Sequence, residues 1–134
     1  MLLAHPGGPF WKNKDAGAWS VVKGEYNDDE EPLTAAKREW QGETGLKLAG
    51  KFIALTPVRQ KSGKAIIAWA VETDLDPAAI KSNNFEIEWP PKSGKKQSFP
   101  EIDRAAWFSI KEAKEKINPA QVALIEELMK TINL

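Results

Sequence analysis

The sequence contains no cysteine and only one histidine, His5. Without cysteine there can be no disulfide, no thiolate nucleophile and no cysteine-ligated zinc site. A single histidine also excludes a His-rich metal site, and a Ser-His-Asp triad would have to be built on His5 alone. Any metal chemistry must therefore use oxygen ligands, which favours a hard divalent cation, Mg²⁺ or Mn²⁺.

The sequence also lacks a net charge and any long apolar run. Lysine plus arginine and aspartate plus glutamate number 19 each, and this balance argues against dedicated nucleic-acid binding, which usually requires a basic excess. No apolar stretch approaches the length of a membrane span, and the N-terminus has no signal-peptide pattern. We therefore expect a cytoplasmic protein without membrane association, with residues 1–134 forming one domain.

Apolar periodicity and turn residues predict an alternation of strands and helices. The predicted strands cover residues 2–4, 19–22, 52–59, 64–73, 85–89 and 105–109. The predicted helices cover residues 33–44 and 110–117, a single turn at 76–81, and a C-terminal helix after Pro119 with the apolar stripe Val122, Ile125, Met129 and Ile132. This order predicts an α/β sandwich around a mixed β-sheet. Trp40 and Trp107 are predicted to lie in its core, and Trp19 beside a loop.

The helix over residues 33–44 has an apolar stripe and an acidic face. Glu39 and Glu43 are four residues apart and therefore share one face, whereas Trp40 points toward the apolar stripe. The two carboxylates repel each other unless a cation lies between them. A solvated charged face is the simpler interpretation of such a pair alone. Glu30 and Arg38 are placed to form an ion pair between the preceding loop and the helix.

A longer pattern surrounds these acids. It runs from Gly24 over five residues to Glu30, over seven more to Arg38-Glu39, and on through Trp40-Gln41-Gly42-Glu43-Thr44-Gly45-Leu46. This pattern resembles the Nudix box, GX5EX7REUXEEXGU, here at residues 24–46, with eight of its nine specified positions matched. Segments 5–11, 17–20, 23–26, 85–91 and 101–108 also resemble a bacterial branch of that family described as predicted NTP pyrophosphohydrolases.

The resemblance implies a Nudix-type α/β/α sandwich and metal-dependent hydrolysis of a nucleoside diphosphate linked to another group. The substrate would be a small molecule such as an NTP, a nucleotide sugar or a dinucleoside polyphosphate. Carried over by position, the resemblance assigns catalysis to Glu39, Glu43 and Arg38, the Mg²⁺ or Mn²⁺ site to Gly24, Glu39 and Glu43, and a supporting role to Glu30. Further candidates are Glu86 or Glu88 for an extra carboxylate and Lys23 for a phosphate contact.

Two departures from the family pattern affect these expectations. Gly42 stands where the box has a glutamate, which predicts weaker metal binding, slower turnover or a preference for Mn²⁺. A catalytically impaired nucleotide- or metabolite-binding domain on the same fold is therefore an alternative, as is an interaction module with an exposed sheet edge. Family members also have a strand before Leu2, so an N-terminal strand that is short or missing would expose an edge and favour a homodimer.

Overall fold

A computed structural model of the chain describes residues 1–23 and 29–132. The strands in these residues are β1 (Leu2–Pro6), β2 (Phe52–Ala54), β3 (Val58–Arg59), β4 (Ala65–Ile66), β5 (Trp69–Val71), β6 (Asn84–Glu88), β7 (Lys96–Pro100) and β8 (Ile102–Trp107). The helices are α1 (Pro32–Thr44), α2 (Ile110–Lys116) and α3 (Val122–Thr131), with 3₁₀ turns at Pro77–Ala79 and Pro119–Gln121. None of the helices in the described ranges is long and apolar enough to span a bilayer.

The strands pair antiparallel in four two-stranded units, namely β1–β8, β2–β5, β3–β4 and β6–β7. The α/β class is confirmed. The sheet expected to be mixed is present as these separate antiparallel pairs, and parallel pairing in the described residues is limited to one bridge between Trp19 and Ile117.

Several predicted strand boundaries were wrong for local reasons. The strand predicted over 52–59 is interrupted at residues 55–57, where Pro57 has no N–H to donate to a partner strand. The strand predicted over 64–73 is divided into β4 and β5. The strand predicted over 19–22 is reduced to bridges at Trp19 and Ser20. Ser109 does not extend β8, because its hydroxyl accepts the N–H of Glu112 and caps α2.

The core lies where the β1–β8 pair meets α2 and α3. Leu3, Trp19, Ala113, Ile117 and Ile125 are buried together there. Trp19 is 5% exposed and Trp107 is 44% exposed, so the core location predicted for Trp107 was wrong, whereas Trp19 is a buried residue beside a loop. The stripe of α3 packs through Val122, Ile125 and Met129, whereas Ile132 is exposed.

His5 is fully buried and ties β1 to two other segments. Its Nδ1 lies 2.8 Å from Asp103 Oδ1, and its Nε2 lies 2.7 Å from the carbonyl oxygen of Lys14. Since a carbonyl oxygen only accepts, Nε2 carries a hydrogen. The contact with Asp103 then requires one more proton, on the ring or on the carboxyl. His5 is thus a structural residue of the core edge.

Capping residues next to each end of helix α1 determine where it begins and ends. The Glu31 carboxylate accepts the N–H groups of Leu33 and Thr34, and Pro32 occupies the first turn. Gly45 closes the helix in the left-handed conformation, with φ of 73°. The predicted helix 33–44 is therefore confirmed to within one residue.

Candidate active site

The last turn of α1 lines a cleft of about 210 Å³ that holds acidic and basic side chains together. It lies between the end of β1, the segment 20–23 and the start of β8. Its lining residues are Ala4, Pro6, Ser20, Val21, Val22, Lys23, Glu43, Glu101 and Ile102. We call it the carboxylate cleft. Two acids and one lysine over a mostly apolar wall are the composition expected of a site that handles charged groups.

Glu43 and Glu101 meet in this cleft. Their carboxyl groups lie within hydrogen-bonding reach of each other, so a hydrogen bond between them stabilises a proton on Glu43. Burial, this hydrogen bond and repulsion from Glu101 and Glu39 raise the pKa of Glu43 to about 7, against the opposing effect of the Lys23 ammonium. A carboxyl that titrates near neutral pH can take or release a proton under physiological conditions.

Glu39 lies one turn before Glu43 and is held by Arg38. The Arg38 guanidinium contacts Glu30 through two hydrogen bonds of 2.7 and 2.8 Å, and its third nitrogen lies 2.9 Å from Glu39 Oε1. The ion pair expected between Glu30 and Arg38 is therefore present. Hydrogen bonding to Glu30 raises the pKa of Arg38 above its ordinary value. Arg38 thus fixes the direction of Glu39 and braces the helix against the segment before it.

Glu101 was not identified as a site residue from the sequence. It lies between β7 and β8, and its own backbone is held on both sides. Its N–H donates to the carbonyl of Asn83 at 2.8 Å, and its carbonyl accepts the N–H of Gly7 at 2.9 Å. A Cβ at Gly7 would lie 1.9 Å from the carbonyl oxygen of Pro100. Only glycine permits this close approach.

A short segment joins Glu101 to the end of helix α1. The N–H of Lys81 donates to the carbonyl of Thr44, and the side-chain amide of Asn83 donates to the carbonyl of Gly42, each at 2.8 Å. From the same segment, the Ser82 hydroxyl accepts the N–H of Ile102 at 2.8 Å. We call residues 81–83 the tether. It satisfies helix-terminal carbonyls and sets the spacing between Glu43 and Glu101.

The other residues predicted for the site are distributed as follows. Lys23 is exposed and lines the carboxylate cleft. Glu86 and Glu88 are exposed on β6 and do not line it. Gly24 lies outside the described residues. The only signal for Glu101 in the sequence was its position at the start of the family-like segment 101–108.

Gly42 is exposed within α1, and nothing lies within 4 Å of the position its Cβ would occupy. The glutamate of the family pattern would therefore fit sterically. No backbone strain requires glycine here, since φ is not positive. The substitution removes a carboxylate from the acidic face without rearranging the helix.

The oxygen donors of the cleft suit a hard divalent cation. Across residues 1–23 and 29–132 no group of three acidic or histidine side chains is arranged to hold a metal ion. Mg²⁺, however, is commonly held by one or two carboxylates, with waters and substrate phosphates completing its shell. Glu43 and Glu101, close enough to share a proton, provide such a pair.

Comparisons with known proteins identify the family. The model of the NUDIX domain matches residues 1–128. The solution structure of the E. coli ORF135 protein aligns with a TM-score of 0.58 and 27% sequence identity, over 98% of this chain and 80% of that one. A comparison with curated protein sequences gave no match. Members of the family matched here are hydrolases of nucleoside diphosphate derivatives, and this chain, matched over nearly its full length, belongs to the Nudix family.

Proposed function

We propose that the chain is an active, Mg²⁺- or Mn²⁺-dependent pyrophosphohydrolase that cleaves a nucleoside diphosphate linked to another group. The observation that carries this proposal is the contact between the Glu43 and Glu101 carboxyls beside Lys23. Two acids that share a proton near neutral pH provide a proton acceptor and an oxygen donor in one place. If this side of α1 were only a solvated charged surface, the Glu43 carboxyl would not lie against an acid from another element.

The charged residues in and beside the cleft have distinct parts in the proposed reaction. Glu43 accepts the proton of the attacking water, because its pKa of about 7 places it near the working pH. Glu101 and the ionised Glu43 would hold the cation, Glu39 would offer a further oxygen from the preceding helical turn, and Lys23 would attract the phosphate chain. When bound, the cation would neutralise phosphate oxygens and lower the pKa of a coordinated water. Arg38 is a positioning residue, since it holds Glu39.

The test is the release of products from a panel of NTPs, nucleotide sugars and dinucleoside polyphosphates, with Mg²⁺ and with Mn²⁺. We expect Glu43→Gln and Glu101→Gln each to lower kcat by about 10²-fold or more, and Glu39→Gln to lower it as well. Glu126→Gln, on the exposed side of α3, is the matched control and keeps full activity. A wild-type protein that turns over no substrate under either metal would contradict the proposal.

Variants of β6 test whether the extra carboxylate of the site comes from Glu101 or from β6. Glu86→Gln and Glu88→Gln remove the exposed acids of β6. If either lowers kcat as much as Glu101→Gln does, the third carboxylate comes from β6, and the role proposed for Glu101 is wrong.

Gly42 favours a second candidate function, a nucleotide-binding domain without turnover. The missing carboxylate weakens the attraction for a divalent cation. The two candidates differ in one measurement: the binding domain would hold a nucleotide with micromolar affinity and release no product, even at high Mn²⁺. The retained ion pair between Arg38 and Glu39, together with the carboxyl pair, makes the enzyme the better supported of the two. The cytoplasmic location and the homodimer expected from the sequence remain proposals, to be checked by fractionation and by sedimentation.

A further inference from the structure

A second and larger cleft opens on the other face of the β1–β8 pair. Ala4 and Pro6 of β1 line the carboxylate cleft. Successive residues of a strand point to opposite faces, so Leu3 and His5 face the other way, as do their partners Ala106 and Arg104. Both partners line this second cleft of about 470 Å³, whose walls are Lys12, Asn13, Lys14, Asp15, Trp19, Arg104, Ala106, Phe108 and Lys116. We call it the basic cleft.

Charge is concentrated in the basic cleft. The chain as a whole has equal numbers of acidic and basic residues, whereas this cleft is lined by four cationic side chains and one carboxylate, that of Asp15. Asp15 is already engaged by the Lys116 ammonium and by the indole N–H of Trp19. These hydrogen bonds hold the pKa of Asp15 below its usual range, so the carboxylate stays ionised and its acceptors stay occupied.

Of the other three cations of the cleft, only Arg104 has an ion pair within residues 1–23 and 29–132, and that ion pair is long. Arg104 lies over the Trp19 ring, 5.3 Å from its centroid, and its Nε is 4.0 Å from Asp103 Oδ1. That same oxygen is bound by His5 at 2.8 Å. Lys14 lies over the ring of Trp11. Within residues 1–23 and 29–132, no ion pair or hydrogen bond engages the Lys12 ammonium.

The loop that carries these lysines is held in place. The N–H of Lys14 donates to the carbonyl of Trp11 at 3.0 Å, and the carbonyl of Lys14 is bound by His5 at 2.7 Å. At the far end, the N–H of Gly17 donates to the carbonyl of Glu115 at 3.0 Å. Anchoring the loop lowers the entropy that a ligand would otherwise lose by ordering it.

We propose that the basic cleft binds a phosphate-bearing small molecule, with phosphoryl oxygens held by Arg104 and Lys12 and the remainder of the ligand resting on the partly exposed Ala106 and Phe108. The planar guanidinium of arginine matches the geometry of a phosphate. The cleft volume lies in the range of small-molecule sites. A ligand bound here would not be hydrolysed, because the Glu43–Glu101 pair lies on the opposite face of the β1–β8 ribbon. This inference does not rest on the proposed function.

The test is titration of the full chain with inorganic phosphate, and separately with AMP, in buffer containing EDTA, followed by calorimetry and by amide chemical shifts. We expect saturable binding that Arg104→Ala and Lys12→Ala each weaken by about fivefold or more. Lys111→Ala, an exposed lysine of α2 outside the cleft, is the matched control and binds as the wild type does. Tighter binding of AMP indicates a nucleotide ligand, and equal binding indicates that the phosphate alone is recognised.

Three outcomes would overturn the proposal. They are the absence of saturable binding, an equal loss in Lys111→Ala, and a loss in Glu43→Gln, which would place the ligand in the carboxylate cleft. If Arg104→Ala proves unfolded by circular dichroism, Lys12→Glu on the exposed loop takes its place. That variant reverses one charge without removing a core contact.

Discussion

The side-chain amide of Asn83 donates a hydrogen bond to the carbonyl oxygen of Gly42, 2.8 Å away and 41 positions earlier in the chain. Asn83 also accepts the N–H of Glu101 through its own carbonyl. One residue thus contacts the helix that carries Glu43 and the segment that carries Glu101. The spacing of the two carboxyls therefore depends on a residue that touches neither of them.

Replacing Asn83 should lower activity more than stability. Asn83→Ala removes one exposed hydrogen bond, a loss of about 1 kcal/mol, but it frees the tether from the helix. Because small displacements of catalytic groups are costly, we expect kcat to fall by about tenfold with a smaller change in KM. Asn84→Ala, at the neighbouring exposed position on β6, is the control. Equal losses in the two variants would show that the amide of Asn83 has no positioning role.

Substitutions at Gly42 test how far the absence of a carboxylate at this position lowers metal affinity and kcat. Its Cβ position is open, so Gly42→Ala should raise the free energy of unfolding by about 0.5–1 kcal/mol, as measured by urea denaturation. Gly42→Glu should in addition tighten Mn²⁺ binding and raise kcat. Gly42→Gln has nearly the same size without the charge. If the glutamine variant gains as much activity as the glutamate variant, helix stability and not a lost ligand limits turnover.

The raised pKa of Glu43 predicts a pH-dependent stability in the absence of metal. The pKa of a glutamate in the unfolded chain is near its ordinary value of 4.5, and folding raises the pKa of Glu43 to about 7. Between these values the folded state binds more protons than the unfolded state, so stability falls as pH rises and the fall ends above pH 7. Urea denaturation in EDTA from pH 4.5 to 8 measures this slope. Glu43→Gln should flatten it, and an unchanged slope in that variant would assign the titration to another group.

Metal binding should depend on the same ionisation of Glu43, but the affinity should increase with pH where the stability decreases. A cation binds the ionised carboxylate and must displace the proton shared by Glu43 and Glu101. The affinity for Mn²⁺ should therefore rise with pH up to about 7, the pKa of Glu43, and level off above it. Calorimetry in buffers of different ionisation enthalpy would detect the released proton. An affinity that is constant from pH 5.5 to 8 would place the metal away from this pair.

Local sequence rules accounted for the helix of the site but not for its opposite wall. Pro32, Gly45 and the spacing of Glu39 and Glu43 are short-range signals, and helix α1 follows them. The location of Glu101 depends on the hydrogen bond that it accepts from Gly7 and the one that it donates to Asn83, and both partners belong to other segments of the chain. No periodicity within one segment encodes such contacts.

The exposure of Trp107 and the burial of Trp19 have a similar origin. Trp107 lies on β8 one position beyond Ala106, and only the Ala106 side packs against the core. Which face of a strand is covered depends on the helices that later pack on it, and a one-residue difference reverses burial. Trp19 is buried because His5 and Phe108 pack edge-on to its ring, at centroid distances of 5.1 and 5.0 Å. Neither contact is local in sequence.

The buried contact between His5 and Asp103 should be essential to stability and coupled to the loop of the basic cleft. His5→Ala leaves a cavity in the core and removes the partners of the Lys14 carbonyl and of Asp103, which should cost about 2–4 kcal/mol in urea denaturation. Asp103→Asn keeps the shape of the side chain but removes the group that can ionise beside His5. If the pair is coupled, the double variant loses less than the two single variants together. Strictly additive losses would mean that each side chain is stabilised by other neighbours, and hydrogen exchange at Lys14 would then be unchanged in Asp103→Asn.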